Sequence, residues 1–127
     1  MARHLPLWLL GALLLAIPGG ALAHHSFAMF DADNPVVLAG TVTAFKFTSP
    51  HAFIMLKVVA KDGSDAVWSL EGVSASSLVR DGWSSKTLKA GDEIKAKVTP
   101  LRSGAPGGAW AAKDTFFMDG KPIVVSH

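Results

Sequence analysis

Two adjacent stretches of the chain, residues 51–60 and 66–70, have the pattern that most narrows its fold. The first reads HAFIMLKVVA, the second reads AVWSL, and residues 61–64 between them read KDGS. Both stretches are rich in β-branched and aromatic residues, and an Asp-Gly pair between such stretches is typical of a tight turn. The sequence therefore predicts a β-hairpin.

Alternation within the first of these strands predicts which side chains face the core. One face carries only apolar residues: Ile54, Leu56 and Val58. The opposite face carries a mixed set: His51, Phe53, Met55 and Lys57. Successive side chains of a strand point to opposite faces, and an unpaired lysine is costly to bury. We therefore expect the mixed face to lie on the outside.

The remaining stretches complete an order of strands around one short helix. Strands are predicted at 36–47, within 88–100 and at 109–118, with a helix from Ser74 to Gly82 and a short terminal strand at 119–125. Three strands, a helix and two further strands is the order of an OB-type Greek-key barrel with five strands. We predict an all-β fold with one short helix, a small OB-like barrel. Other small β-barrels and sandwiches remain alternatives, because one sequence does not reveal strand order.

The first 23 residues have the layout of a secretory signal peptide. Residues 5–17 form an apolar run, a Pro-Gly-Gly sequence interrupts it, and Ala21-Leu22-Ala23 is a small-x-small cleavage sequence. The alternative is an uncleaved membrane anchor, but a run of about 13 residues is shorter than the roughly 20 that span a bilayer. The predicted organisation is a signal peptide at 1–23, an arm at 24–35 and a single domain at 36–127. We expect a periplasmic or secreted protein without a stable membrane anchor.

Charge and cysteine content limit the partners of the chain. Its 12 basic and 10 acidic residues leave a net charge of +2, and the basic residues are scattered. A nucleic-acid binder needs clustered Lys and Arg to neutralise phosphates, so we expect no nucleic-acid partner. The chain has no cysteine, and therefore neither disulfides nor a thiolate metal site. Histidine, carboxylate, methionine and backbone nitrogen remain as metal ligands.

Three further stretches carry motifs that occur together in known proteins. They read AHHSFAMFD at 23–31, SPHAFIML at 49–56 and WSLEGVSASSLVRDGWSSKTLKAGDEI at 68–94. Together they resemble a family of small exported bacterial proteins of uncharacterised function. Its members run from a signal peptide into His-His-Ser-Phe and later carry Pro-His and a Gly-Trp followed by Leu-x-x-Gly-Asp. Here Ser49 and Val73 stand where that family commonly has Asn and Pro. The resemblance implies export and one compact domain, and no particular activity.

Three histidines form a candidate metal site: His24, His25 and His51. Cleavage after Ala23 would leave His24 with a free α-amino group, which titrates near about 7.7–8 and can therefore bind metal close to neutral pH. The amine and imidazole of His24, completed by His51 or His25, would be an all-nitrogen set of the kind that favours Cu(II). The layout resembles the amino-terminal histidine brace of exported copper proteins. In the alternative chelate, His25 binds copper with the amine and the intervening backbone nitrogen.

The arm at 24–35 is long enough to bring its histidines to His51. Its 12 residues span up to about 40 Å when extended. We expect Phe27 and Phe30 to pack on Phe53, which would move the amino terminus toward His51.

A second hypothesis is a binding module that uses no metal. OB barrels bind ligands across their second and third strands and the flanking loops. The candidate ligand face comprises Phe53, Met55, Glu71 and Trp110, with a peptide, a saccharide or a small apolar molecule as ligand, whereas Trp83 is expected in the core at the helix end. No Ser–His–Asp pattern, phosphate loop or nucleotide fingerprint is recognisable, so an enzyme is less favoured, although a missing motif does not exclude catalysis.

Overall fold

Five strands and one short helix make up residues 28–124, the part of the chain that the computed structural model describes. The strands are β1 (Val36–Lys46), β2 (Phe53–Val59), β3 (Asp65–Glu71), β4 (Glu93–Pro100) and β5 (Gly107–Phe117), and the helix α1 is Ala75–Arg80. The strands close into a barrel in the order β1-β2-β3-β5-β4. This arrangement confirms the predicted all-β fold, a small OB-like barrel with one short helix.

The predicted hairpin is formed by β2 and β3. These strands pair in antiparallel register from Phe53 opposite Glu71 to Val59 opposite Asp65. In the turn, Asp62 accepts hydrogen bonds from the hydroxyl and the backbone N–H of Ser64, at 2.6 and 2.9 Å. These bonds stabilise the ionised carboxylate and hold the pKa of Asp62 below its ordinary value. The turn is therefore held by its own side chains.

The core lies on the predicted inner face of the hairpin. Ile54 and Leu56 are fully buried, whereas Lys57 is exposed and pairs with Asp65 at 3.1 Å. The rest of the buried set comes from all five strands, the helix and its following loop, and includes Val42, Leu70, Leu78, Trp83, Ile94, Val98 and Trp110. The prediction that Lys57 marks the outer face is confirmed.

Helix α1 begins and ends close to its predicted limits. The hydroxyl of Ser74 accepts a hydrogen bond from the backbone N–H of Ser77 and so caps the amino end. Leu78 is buried, and Gly82 follows the helix with a φ of 83°, a conformation that favours glycine. Trp83 then enters the core, as expected, with its ring 6.0 Å from that of Phe45.

The predicted terminal strand at 119–125 is wrong for its described part, residues 119–124. A turn at Asp119–Gly120 is followed by a single bridge between Phe116 and Pro122. Proline has no backbone N–H to donate, so the bridge does not extend into a ladder. The segment therefore lies along the barrel without adding a strand to it.

Some predicted features lie outside the described residues. These are the signal peptide at 1–23, His24, His25 and Phe27. Among the helices of residues 28–124, none is long and apolar enough to cross a membrane.

Candidate functional site

His51 lies in the loop that connects β1 to β2. Its backbone carbonyl accepts a hydrogen bond from the Thr48 hydroxyl at 2.7 Å, and the Thr48 carbonyl accepts one from Ala75 at the start of α1. Ala52 is fully buried and exchanges backbone hydrogen bonds with Gly72 and Val73, at 2.8 and 2.9 Å. The loop is thus fastened to the segment between β3 and α1. The backbone of His51 is held rigidly although its side chain is 50% exposed.

The imidazole of His51 is oriented through one of its nitrogens. Nδ1 lies 3.1 Å from the carbonyl oxygen of Gly72 and 3.4 Å from Oε1 of Glu71. A carbonyl oxygen accepts and does not donate, so Nδ1 carries the proton in this contact. In the neutral ring Nε2 is then the nitrogen with the free lone pair. His51 therefore offers Nε2 as a ligand from a half-exposed position.

Glu71 lies close to His51 because β3 ends, at Glu71, beside the start of β2 at Phe53. It lies opposite Phe53 on β2 and opposite Ala109 on β5, and its side chain is 32% exposed. Phe53 and Met55 are half-buried on the same outer face. The structure thus brings His51, Glu71 and Phe53 together at one end of the predicted ligand face.

Trp110, the fourth residue proposed for that face, lies in the core. It is 5% exposed, and its ring lies 5.3 Å from that of Trp83 and 6.4 Å from that of Phe45. In the register of β5, the neighbouring Ala109 takes the outer position beside Glu71. Successive side chains alternate, so Trp110 must point inward and is not on the face with Phe53.

Gly72 is a residue of the site that the sequence analysis did not single out. Its carbonyl binds His51, and a Cβ at this position would lie 2.6 Å from Nε1 and Cε2 of Trp110. The indole therefore occupies the space that the missing side chain leaves. Its Nε1 is buried without an acceptor among residues 28–124. The sequence signal for this residue was a glycine just after a predicted strand, because glycines in such positions often mark a close approach of another group to the backbone.

The described part of the arm is bound to the loop between β4 and β5. Phe30 forms a bridge with Leu101, and the backbone N–H of Arg102 donates to Met29 at 2.8 Å. The Arg102 side chain donates to the carbonyl of Ala28 through Nε, at 3.1 Å. Its Nη1 lies 3.6 Å from Oδ1 of Asp31. This set of contacts, the Arg102 clasp, was not predicted from the sequence.

The residues in positions 28–124 do not complete a metal site by themselves. No group of three His, Cys, Asp or Glu side chains in this part of the chain is close enough to hold one ion. His51 and Glu71 supply two such side chains. A site built on His51 would therefore need further ligands, and the predicted ones are His24 and His25. The metal site with these ligands stays a prediction.

Residues 12–111 match a family described as a family of unknown function, DUF6152. The chain belongs to this family. The match extends over the predicted arm, His51, Glu71 and Trp110, and it agrees with the resemblance to an uncharacterised family. No curated protein and no solved structure matches the chain.

Proposed function

We propose that this member of DUF6152 is an exported copper-binding protein of the periplasm or the secreted fraction. In this proposal the ion is held by the amine and imidazole of His24, at the amino terminus left by signal removal, and by Nε2 of His51. His25 is the alternative third ligand. The observation that carries the proposal is the contact between Nδ1 of His51 and the carbonyl of Gly72.

That contact supports metal binding because it leaves the opposite ring nitrogen, Nε2, free to bind the ion. Metal-binding histidines commonly donate their second N–H to a backbone carbonyl or a carboxylate, which sets the tautomer and the ring orientation. His51 has both partners, Gly72 and Glu71, at 3.1 and 3.4 Å. The negative charge of Glu71 also favours a cation at the ring.

The Arg102 clasp supports the participation of the arm. It holds Ala28 beside the β4–β5 loop, and Gly107, the first residue of β5 after that loop, pairs with Ser69 on β3. Ser69 and Glu71 are two residues apart on that strand, about 7 Å. The four residues from Ala28 back to His24 span up to about 14 Å when extended. The proposal requires that this span carry the amino terminus to Nε2 of His51.

The choice of copper follows from the ligand types. The chain has no cysteine, so thiolate sites for zinc, Cu(I) or iron–sulfur clusters are not available. A set made of one amine and two imidazoles suits Cu(II), which also binds most tightly among the divalent first-row metals.

The test is a calorimetric Cu(II) titration of four proteins in one buffer. They are the protein that begins at His24, the same protein with one glycine added before His24, and the His25→Ala and His51→Ala variants. The added glycine converts the terminal amine into an amide, which coordinates far less readily. We expect it and His51→Ala each to weaken binding by at least about tenfold, the lower end of what even an outer-shell partner costs. His127→Ala, a fifth protein, is the histidine control and should bind as tightly as the unmodified protein, because the proposal gives His127 no role.

Each pattern of affinities has a distinct meaning. If His25→Ala weakens binding and His51→Ala does not, copper is held by the terminal chelate alone. Equal affinities in all four proteins would exclude both sites. Affinity should also rise with pH through about 7.7–8, where a terminal amine titrates, because protons compete with the ion for its nitrogen.

The second candidate function is binding of a peptide, a saccharide or a small apolar ligand on the outer face of β2 and β3. It is supported by Phe53 and Met55, which are only half-buried beside His51. A ligand bound there would be held equally well with and without a chelator. Saturable binding that EDTA leaves unchanged and Phe53→Ala removes would favour this candidate.

A further inference from the structure

A groove separate from the His51 site runs along the barrel between α1, β5 and the segment 122–124. Its volume is about 860 Å³, within the range of roughly 300–1,000 Å³ found for small-molecule sites. The lining is mainly apolar and includes Val73, Trp83, Trp110, Ala112, Phe116 and Ile123. Val73 and Phe116 remain 52% and 40% exposed, so the groove is open to solvent.

An irregularity in β5 forms one wall of the groove. Ala96 of β4 lies opposite Thr115, whereas Val98, two residues further along β4, lies opposite Trp110. Four residues of β5 therefore face a single residue of β4, and the excess residues, 111–114, form a bulge. A hydrogen bond of 2.8 Å from the Thr115 hydroxyl to the Ala111 carbonyl closes this bulge. Bulges of this kind commonly re-aim side chains at binding sites.

The rim of the groove carries an excess of positive charge. Arg80 and Lys113 both line it, together with the carboxylate of Asp81. Neither cation lies within ion-pair distance of a carboxylate in residues 28–124, unlike Lys57, whose ammonium pairs with Asp65. Two cations without partners beside an apolar floor are complementary to a molecule with one anionic end and one apolar end.

We infer that this groove binds a monocarboxylate with an unbranched hydrocarbon chain, the chemical class of a free medium-chain fatty acid. The hydrocarbon lies on the exposed apolar surface of Val73 and Phe116, beside Ala112, and the carboxylate is held at the rim by Arg80 and Lys113. The site is independent of the proposed copper site, because neither His51 nor Glu71 lines the groove.

The test is calorimetric titration of the purified protein with decanoate in the presence of EDTA. Decanol, which has the same chain without the charge, is the matched ligand. We expect saturable 1:1 binding of decanoate that is clearly tighter than that of decanol. Each methylene removed from the acid should weaken binding by up to about fourfold, the factor that corresponds to burial of one CH₂ group.

The rim is tested with charge-removing variants. Arg80→Gln and Lys113→Gln should each weaken decanoate binding by about two- to fivefold, the range measured for exposed ion pairs, and leave decanol unchanged. Lys61→Gln is the control, because Lys61 is also exposed but lies in the β2–β3 turn. Phe116→Ala should weaken both ligands, since it removes apolar surface from the groove.

Three results would overturn the inference. One is the absence of saturable decanoate binding, and another is equal affinity for decanoate and decanol. The third is equal decanoate binding by Lys61→Gln, Arg80→Gln and Lys113→Gln. Because EDTA removes copper throughout, none of these results depends on whether the proposed copper site exists.

Discussion

Gly72 belongs to both the candidate site and the core. Its carbonyl contacts His51 in the site, and its lack of a side chain leaves room for a residue of the core. The carbonyl accepts the hydrogen bond from His51, while the indole of Trp110 occupies the place of a Cβ. The outer position of His51 could be predicted because it depends only on local alternation. The prediction of Trp110 on the ligand face was wrong, because the pairing of β5 with β3 points its side chain inward, and such long-range pairing cannot be read from one sequence.

The role of Gly72 predicts the effect of adding a single methyl group. Gly72→Ala would place Cβ 2.6 Å from the indole of Trp110, so the ring or the strand end must shift. We expect a loss of about 1–3 kcal/mol in the free energy of unfolding, as for other overpacked cores, measured by urea titration. Gly63→Ala is the comparison for backbone strain alone, because its φ is 86° and no atom lies within 4 Å of the added Cβ. Gly72 is not among the glycines with a positive φ, so an unchanged free energy of unfolding in Gly72→Ala would contradict the clash with Trp110.

The arm is positioned by contacts with a loop between strands and not by strand pairing of its own. The hairpin, the helix and the outer face of β2 were predictable, because they rest on turn residues, a serine cap and period-two alternation. The Arg102 clasp was not, because it joins Ala28 to a residue that lies 74 positions further along the chain. The backbone of Phe30 forms a bridge with Leu101, and the expected packing of Phe30 on Phe53 stays a prediction.

The clasp predicts an effect of Arg102 on copper affinity at a distance. Arg102→Ala removes the hydrogen bond to Ala28 and the contact with Asp31, so the arm would be held less firmly beside the barrel. We expect Cu(II) binding to weaken by about two- to fivefold, in line with the value of an exposed ion pair, with little change in barrel stability. Arg80→Ala is the matched control and should leave copper affinity unchanged. An unaltered affinity in Arg102→Ala would show that the clasp does not contribute to the copper site.

The carboxylate of Asp92 holds the turn before β4. Its protonation should lower the free energy of unfolding. Burial tends to raise the pKa of Asp92, but hydrogen bonds from the ammonium and the backbone N–H of Lys89, at 2.6 and 2.9 Å, outweigh it. The pKa of Asp92 therefore lies below its ordinary value. Such a carboxylate stabilises the fold above its unfolded-state pKa of about 3.9, and this contribution is lost as the pH falls through the lower folded-state value.

Asp92→Asn tests this account of the turn. We expect the variant to lose about 0.5–1.5 kcal/mol at pH 7, the usual net value of a hydrogen bond, in urea unfolding. The difference from the unmodified protein should shrink as the pH falls below about 4, the ordinary aspartate pKa, toward the lower folded-state pKa of Asp92. Asp33→Asn, at an exposed aspartate of the arm, is the control. A difference that stays constant down to pH 2 would contradict a role for the ionised form.

At the scale of the whole molecule, barrel closure brings together segments that are distant in sequence. β3 and β5 pair over only three positions, and this short parallel contact places the β4–β5 loop beside the strand that ends at Glu71. The described end of the arm is bound to that loop. Strand order predicted the barrel, whereas the position of the arm depends on side-chain contacts such as those of Arg102, which no local pattern encodes.

The difference between the two copper hypotheses should appear in the stability of the whole protein. A ligand stabilises a fold only if it binds the folded state more tightly than the unfolded one. An ion that bridges His24 and His51 needs the folded barrel, because only folding brings these residues together. At a free copper concentration about 100 times Kd, bridging would raise the free energy of unfolding by about 2.7 kcal/mol.

A chelate confined to the first residues of the mature chain would behave differently. It uses His25, the amine and the intervening backbone nitrogen, all of which are equally available in the unfolded chain, so copper would leave the unfolding midpoint unchanged. The measurement is urea unfolding of the protein that begins at His24, with and without Cu(II). We expect a stabilisation that His51→Ala abolishes and His127→Ala preserves. Stabilisation that persists in His51→Ala would exclude the bridge to the barrel, and its absence from the unmodified protein at saturating copper would place the ion on the arm alone.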